Sequence, residues 1–229
     1  MSSIEATRRH AGNTGARGVF VTLEGVDGAG KSTQARLLVE RLRAIGVEVV
    51  ALREPGGTAI SEKIRALLLD PANAEMSVEC ELLLYEASRA QLVREVIEPV
   101  LARGAVVVCD RFYDSTYAYQ KAGRALDAAT VAEANRLGSC GVTPDLTLVL
   151  DLDPSASFAR VRKGELDRME EEGVAFQLRV REGYLELAAA EPGRVRIVNA
   201  DGNIDEVAAR VDEELARAGI LPLGEVCDG

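Results

Sequence analysis

Histidine is nearly absent from this chain of 229 residues, which contains a single one, His10. Catalytic triads that use histidine, and metal sites with histidine ligands, are therefore nearly excluded. The chemistry has to rest on carboxylates, arginines, lysine, hydroxyls, backbone amides or a recruited cation.

Cysteine and long apolar runs are scarce as well. The four cysteines, Cys80, Cys109, Cys140 and Cys227, show no metal-binding spacing, and we interpret them as reduced thiols. No apolar run approaches the ~18 residues of a membrane span, and residues 1–17 lack the apolar stretch of a secretory signal. We expect a cytoplasmic protein without a membrane partner.

Basic residues are fewer than acidic ones, 27 against 37, which gives a formal net charge of −10. This balance argues against a nucleic-acid partner, so any bound phosphate needs local donors. Only four of the 27 basic residues are lysines. Arginine suits forked phosphate recognition, although a composition bias explains the ratio equally well.

Strand-like and helix-like segments alternate between a polar leader (1–17) and a tail (221–229), which indicates one α/β domain over residues 18–220. Five nearly continuous apolar segments are typical of buried parallel strands. They are Val19–Glu24, Val47–Arg53, Ala105–Asp110, Leu146–Asp151 and Arg194–Val198. Helices are predicted over Lys31–Ile45, Ile60–Leu69 and Glu79–Arg103, and the charged residues 160–182 are interpreted as a surface excursion.

The strongest motif is Gly25–Ser32 (GVDGAGKS), which matches G-x-x-x-x-G-K-[ST] between an apolar run and a helical pattern. Its glycines let successive amides face an anion at a helix N-terminus. Lys31 is expected to reach the β- and γ-phosphates, and the Ser32 hydroxyl to bind Mg²⁺. The motif predicts nucleoside triphosphate binding but not the reaction, since GTPases, ATPase motors and small-molecule kinases share it.

Charged residues follow the second and third strands, at the edge where a parallel sheet binds its ligand. Arg53 is a candidate anion or base contact, and Arg111 a candidate contact to a phosphate between donor and acceptor. Asp110 and Glu54 could both orient the cation, and the sequence does not rank them. A buried Asp–Arg pair with a structural role is the alternative for Asp110 and Arg111.

On the long predicted helix, Tyr85 and Arg89 are four residues apart and share a face. A stacking ring beside a forked arginine suits a planar base with a carbonyl group. Core packing and surface charge are the alternative interpretation of this pair.

Together these segments resemble the thymidylate kinase family of nucleoside monophosphate kinases, from about Val19 to about Val207. The resemblance rests on Leu23–Thr33, Arg53–Thr58, Asp110–Gln120, Pro144–Thr147 and Gly164–Glu170. It implies a P-loop NTPase fold with a mobile lid over about residues 160–173, ATP and dTMP as substrates, Mg²⁺ as cofactor and a homodimer formed through the long helix. The implied ATP-binding residues are Gly25, Val26, Asp27, Gly28, Ala29, Gly30, Lys31, Ser32 and Thr33.

The resemblance also implies roles around the acceptor. Tyr85 would stack on thymine and Arg89 would bind the base carbonyl, with Thr116 and Gln120 near the base. Asp27 would contact the 3′-hydroxyl, Arg53 and Arg111 the acceptor phosphate, and Tyr119 would disfavour a 2′-hydroxyl. Two positions depart from the family pattern, because Phe112 replaces a tyrosine that is common there and Tyr85 replaces a frequent phenylalanine.

Some family members carry a catalytic arginine in the phosphate loop, where this chain has Gly28. The resemblance then implies catalytic arginines from the lid, where Arg160, Arg162 and Arg168 are available. We expect Lys31, Arg111, Arg162 and Arg168 to act on the transferred phosphoryl group.

The expected reaction is transfer of a phosphoryl group from ATP to dTMP, giving ADP and dTDP. Two alternatives stay open. One is a kinase for dUMP or a deoxynucleoside, because a thymine methyl is worth only about 1–3 kcal/mol of discrimination. The other is a nucleotide-binding regulatory module, which is disfavoured because the chain has no Asn-Lys-x-Asp motif.

Overall fold

The computed structural model describes residues 17–160 and 167–220. Its five strands form one parallel sheet in the order β2–β3–β1–β4–β5, which confirms the predicted α/β fold. The strands are β1 (Phe20–Glu24), β2 (Val49–Arg53), β3 (Val106–Asp110), β4 (Leu146–Asp151) and β5 (Val195–Asn199). Each observed strand end lies within two residues of its predicted position.

Helices cover both faces of the sheet. In the described ranges they are α1 (Lys31–Ala44), α2 (Ala59–Leu69), α3 (Val78–Leu92), α4 (Glu98–Ala102), α5 (Tyr113–Thr116), α6 (Ala128–Gly138), α7 (Pro154–Arg160), α8 (Gly173–Ala190) and α9 (Ile204–Ala218). Among the residues that the structure describes, we find no helix with the length and hydrophobicity that a bilayer span requires. The predicted leader and tail lie outside the described residues, apart from Arg17, which pairs with Asp145.

The prediction of one uninterrupted helix over Glu79–Arg103 is wrong in one detail. A π-helical turn, Val93–Ile97, separates α3 from α4. The amide of Glu98 donates to the carbonyl of Val93, and Pro99, which has no amide hydrogen, follows immediately. Proline cannot continue the normal hydrogen-bond ladder, and the wider turn before it lets the helix go on.

The interpretation of residues 160–182 as a surface excursion is wrong from Gly173 onward, where α8 begins. Phe176, Val180 and Tyr184 of α8 are buried at four-residue spacing. They face a second π-helical turn, Tyr117–Gly123, which continues α5. This helix contributes to the core instead of lying on the surface.

The core occupies both faces of the sheet, as the predicted buried strands require. Val21 and Val108 belong to one apolar cluster, and their neighbours Phe20 and Val107 to the other. Leu23 of β1 lies beside Asp110 of β3, so the loops that leave these two strands are adjacent. Three cysteines, Cys80, Cys109 and Cys140, are free, as expected, and Cys227 lies outside the described residues.

Candidate active site

A cleft of about 400 Å³ opens at the carboxyl ends of β1, β2 and β3. Most of the predicted site residues line it. These are Asp27, Gly28, Gly30, Lys31, Ser32, Thr33, Arg53, Glu54, Tyr85, Arg89, Asp110, Arg111, Thr116, Tyr119 and Gln120. Gly25, Val26 and Ala29 belong to the phosphate loop behind this surface, and Arg162 lies outside the described residues.

The phosphate loop has the backbone that an anion site needs. Gly25, Gly28 and Gly30 have positive φ angles of 134°, 78° and 96°, which are unfavourable for residues other than glycine. Gly30 caps α1 without a side-chain hydrogen bond, and the first turn of α1 has no acidic residue. The amides at this helix N-terminus are thus available to a phosphate.

Lys31 lies at the base of this loop and is 7% exposed. Its Nζ donates to the carbonyl of Val26 at 2.8 Å and is 4.0 Å from the Asp27 carboxylate. Burial, together with the nearby charge of Arg111, lowers the pKa of Lys31 to about 8. A bound polyphosphate would compensate this burial with negative charge.

Ser32 and Asp110 provide oxygen ligands suited to a magnesium ion. The Ser32 hydroxyl donates to the Asp110 carboxylate at 2.5 Å, so both groups occupy one corner of the cleft. Mg²⁺ usually takes one or two protein oxygens and keeps water and phosphate ligands. The described residues contain no group of three or more acidic, histidine or cysteine side chains that could hold a metal.

Glu54 differs from Asp110 in its surroundings. It is buried, and its Oε2 accepts from Nε of Arg89 at 2.8 Å, while Oε1 has no hydrogen-bond partner among the described residues. Burial raises the pKa of Glu54 to about 7, and neighbouring Glu86 adds to the shift against the opposing charge of Arg89. One oxygen of Glu54 is therefore occupied by Arg89, whereas the Asp110 carboxylate contacts the Ser32 hydroxyl.

The cleft has two halves, one formed by the phosphate loop and the other by Tyr85, Arg89, Thr116 and Gln120. Arg111 lies where they meet. Its guanidinium pairs with the Asp27 carboxylate and donates to the Tyr119 hydroxyl at 2.9 Å. Tyr119 and Gln177 donate to the same Asp27 carboxylate at 3.0 and 3.1 Å. Although burial opposes ionisation, Arg111 and Lys31 lower the pKa of Asp27, which keeps this carboxyl charged.

Glu24, which the sequence analysis did not select, fixes the backbone around Arg111. Arg111 has a φ of 73°, a strained value for a residue with a side chain. The Glu24 carboxylate accepts from the Phe112 amide at 2.7 Å, Ser115 at 2.6 Å and Tyr184 at 2.7 Å. Burial raises the pKa of Glu24 to about 6, with a contribution from Asp114.

Arg89 lies between two carboxylates at the deep end of the cleft and is 1% exposed. Besides Glu54, it pairs with Glu86 and donates to Thr116 at 3.0 Å. Tyr85, one turn earlier on α3, lines the cleft beside it. These contacts fix the fork of Arg89 against the wall of the cleft. Glu86 is a further residue that the sequence analysis missed, although its three-residue spacing from Arg89 is a usable signal.

The two remaining arginines have protein partners. Arg53 pairs with Glu62 at 3.0 Å and donates to the Pro55 carbonyl at 2.9 Å while lining the cleft. Arg168 does not line the cleft. Its guanidinium pairs with Glu81 at 2.7 Å and donates to the Leu68 carbonyl at 2.7 Å, so it would have to leave these partners to contact a phosphate.

Comparison with known proteins agrees with this geometry. The family model described as Thymidylate kinase matches residues 23–211. The chain is 47% identical to the thymidylate kinase of Ectopseudomonas mendocina (strain ymp) over 214 residues, covering 93% of this chain and 99% of that one. It is 51% identical to that of Desulforudis audaxviator (strain MP104C) over 185 residues, covering 80% and 84%.

A solved structure is also similar. The crystal structure of thymidylate kinase from Ehrlichia chaffeensis superposes with a TM-score of 0.72 and 33% sequence identity, covering 87% of this chain and 99% of that chain. Sequence identity, coverage and fold therefore agree, and the chain belongs to the thymidylate kinase family.

Proposed function

We propose that this member of the thymidylate kinase family transfers the γ-phosphoryl group of ATP to dTMP, giving ADP and dTDP. One observation carries the proposal: the phosphate loop and the residues expected to bind the acceptor line a single cleft. Such a cleft can bring a second nucleotide's phosphate to the end of a bound triphosphate.

The nucleophile is a phosphate oxygen of dTMP, which is already anionic near neutral pH. The reaction therefore needs positioning and charge neutralisation more than a general base. Lys31 and the loop amides would bind the β- and γ-phosphates. Arg111, at the junction of the two halves, would bind the phosphate between donor and acceptor.

Ser32 and Asp110 are the residues we propose to hold Mg²⁺. When bound, the ion would neutralise charge on the phosphate oxygens of ATP. We propose Asp110 over Glu54 because Asp110 contacts the Ser32 hydroxyl, whereas Glu54 pairs with Arg89.

The acceptor would bind in the opposite half of the cleft. We propose that Tyr85 stacks on thymine, with Arg89, Thr116 and Gln120 around the base and Arg53 near the acceptor phosphate. Arg89 is suited to a base carbonyl because Glu54 and Glu86 fix its orientation. Asp27 would accept from the 3′-hydroxyl, and Tyr119, which donates to Asp27, would occupy the space of a 2′-hydroxyl.

The proposed lid over about residues 160–173 would supply further positive charge through Arg162 and Arg168. Arg162→Ala should then lower kcat far more than it raises the KM for dTMP. Arg168 is expected to act on the phosphates only after leaving Glu81 and Leu68.

Turnover with a panel of acceptors tests the proposed function. ADP release would be followed with Mg²⁺–ATP and, in separate reactions, dTMP, dUMP, deoxythymidine or no acceptor. The proposal expects dTMP to give the highest kcat/KM. Preference for dUMP or deoxythymidine would support the other kinases, and ATP binding without acceptor-dependent turnover would support a regulatory module.

We also propose a cytoplasmic homodimer. The three free cysteines among the described residues fit a reducing compartment. On α3, Leu83 is 65% exposed, and the neighbouring α6 exposes Leu137 at 72%. Large exposed apolar residues on adjacent helices are suited to contact with a second copy.

A further inference from the structure

Glu81 on α3 is a buried carboxylate that does not itself line the cleft. It is 1% exposed and lies one helical turn before Tyr85. Its oxygens accept from Gln120 at 2.8 Å, from Arg124 at 2.9 and 3.1 Å, and from Arg168 at 2.7 Å. One carboxylate on α3 therefore joins two segments that are distant from it in sequence, residues 120–124 and 167–170.

The segment that contains Gln120 and the 167–170 segment both form walls of the cleft. Gln120 lines it directly. The 167–170 segment lines it through Asp167, Met169 and Glu170, while Arg168 points away into the protein.

The 167–170 segment is fixed to the end of α2 as well as to Glu81. The backbone amide of Arg168 donates to the Leu69 carbonyl at 3.1 Å, and its Nε donates to the Leu68 carbonyl at 2.7 Å. Arg124 adds a link, because it pairs with Glu172, just beyond the segment. Glu81 contacts both arginines and Gln120 at once.

The charges explain why a carboxylate is needed at this point. Arg124 and Arg168 are 14% and 6% exposed in their side chains, and both direct a guanidinium at Glu81. Without the negative charge, two poorly solvated cations would face each other across a small space. Despite burial, these arginines and Gln120 lower the pKa of Glu81, so the carboxyl stays charged at neutral pH.

We propose that Glu81 is a positioning residue for the acceptor nucleotide, which fixes Gln120 and the 167–170 segment as two walls of the dTMP-binding half of the cleft. The proposal rests on the proposed function. Weakening the hydrogen bonds and ion pairs of Glu81 should impair dTMP binding and admit water to the γ-phosphate. ATP binding at the phosphate loop should stay nearly normal.

Kinetics of Glu81→Gln test the proposal, because glutamine keeps the shape and removes the charge. We expect the KM for dTMP to rise about tenfold, as loss of a charged hydrogen bond typically does. The KM for ATP should stay within about twofold. Inorganic phosphate released per dTDP formed should increase at least about threefold, because the walls no longer exclude water.

Two further variants keep the test decisive. Glu81→Asp retains the charge and should recover most of the dTMP affinity, which a merely structural role would not require. Asp212→Asn removes the carboxylate of a different carboxylate–arginine pair, which Asp212 forms with Arg41 between α1 and α9, away from the cleft. It should lower the melting temperature without changing the KM for dTMP or the phosphate ratio.

If Glu81→Gln does not fold, Arg124→Lys provides the same readouts, since lysine keeps the charge but cannot donate to both oxygens of Glu81 as the guanidinium of Arg124 does. Unchanged KM for dTMP and an unchanged phosphate ratio in the soluble variant would overturn the proposal, even if the melting temperature fell. Absence of dTDP formation by the unsubstituted protein would instead overturn the proposed function.

Discussion

At the scale of single residues, burial in the cleft controls the charge of Lys31. Burial lowers its pKa to about 8, so the free enzyme loses the ammonium charge as the pH rises through that value. Since kcat/KM for ATP reports the enzyme before ATP binds, we predict that kcat/KM for ATP falls above about pH 8. Bound phosphates restore the charge, so kcat should fall only at higher pH. Steady-state kinetics from pH 6.5 to 9.5 at saturating dTMP measure both.

Lys31→Arg is the matched variant for this pH profile. A guanidinium stays protonated across the whole range, so the alkaline decrease in kcat/KM for ATP should disappear even though the rate is lower. An unchanged decrease in the variant would assign it to another group.

Arg111 provides a second prediction at the residue scale. Loss of one donor to a transition-state oxygen typically costs about 2.7–4 kcal/mol, so Arg111→Ala should lower kcat by ~10²–10³. The fold should persist, because Asp27 keeps its hydrogen bonds from Tyr119 and Gln177. Circular dichroism would check the fold beside the kinetics. A decrease in kcat below about tenfold would mean that Arg111 is mainly structural.

At the scale of elements, α8 packs closely against the π-helical turn Tyr117–Gly123. A Cβ added at Gly183 would lie 2.7 Å from the Cβ of Ala122 and 3.1 Å from the Cα of Ala118. Overpacking costs about 1–3 kcal/mol, which exceeds the ~1 kcal/mol that alanine gains over glycine in a helix. Gly183→Ala should therefore lower the free energy of unfolding in urea denaturation.

The chain offers a control and a rescue for this substitution. Nothing lies within 4 Å of a Cβ added at Gly193, so Gly193→Ala should be nearly neutral. Adding Ala122→Gly to Gly183→Ala should restore most of the lost stability by removing the contact. If the double variant were no more stable than Gly183→Ala, the contact would not be the cause.

The sequence predicted the five strands and the phosphate loop well because their signals are local. A window of a few residues is enough to recognise an apolar strand, or the spacing of the glycines, Lys31 and Ser32 in the phosphate loop. The helix α8 was missed because its first turns lie in a charged region. The buried series Phe176, Val180 and Tyr184 becomes clear only when the window extends beyond residue 182.

Contacts between distant segments were beyond prediction. The pair of Glu81 and Arg168 spans 87 positions, and Glu24 contacts Tyr184 across 160 positions. Neither has a sequence signature, because the fold alone brings these residues together. The same limit applies to the left-handed backbone of Arg111, which depends on the contacts of Glu24 with the residues that follow it.

At the scale of the whole molecule, the proposed homodimer makes a direct prediction. Leu83→Glu places a charge on the exposed face of α3 and should convert a dimer to monomers. Light scattering coupled to size-exclusion chromatography measures the mass. Ile45→Glu is the control, because Ile45 is 52% exposed at the end of α1 and should leave the dimer intact. A dimeric Leu83→Glu variant would contradict an interface through α3.

The fate of the terminal phosphoryl group decides whether this protein transfers it from ATP to dTMP. ATP labelled in the γ-phosphoryl group would be mixed with dTMP, Mg²⁺ and excess enzyme for a single turnover, and the products separated by chromatography. We predict that the label appears in dTDP, in an amount equal to the ADP formed, and only when dTMP is present. Label recovered as inorganic phosphate at the same rate with and without dTMP would contradict it.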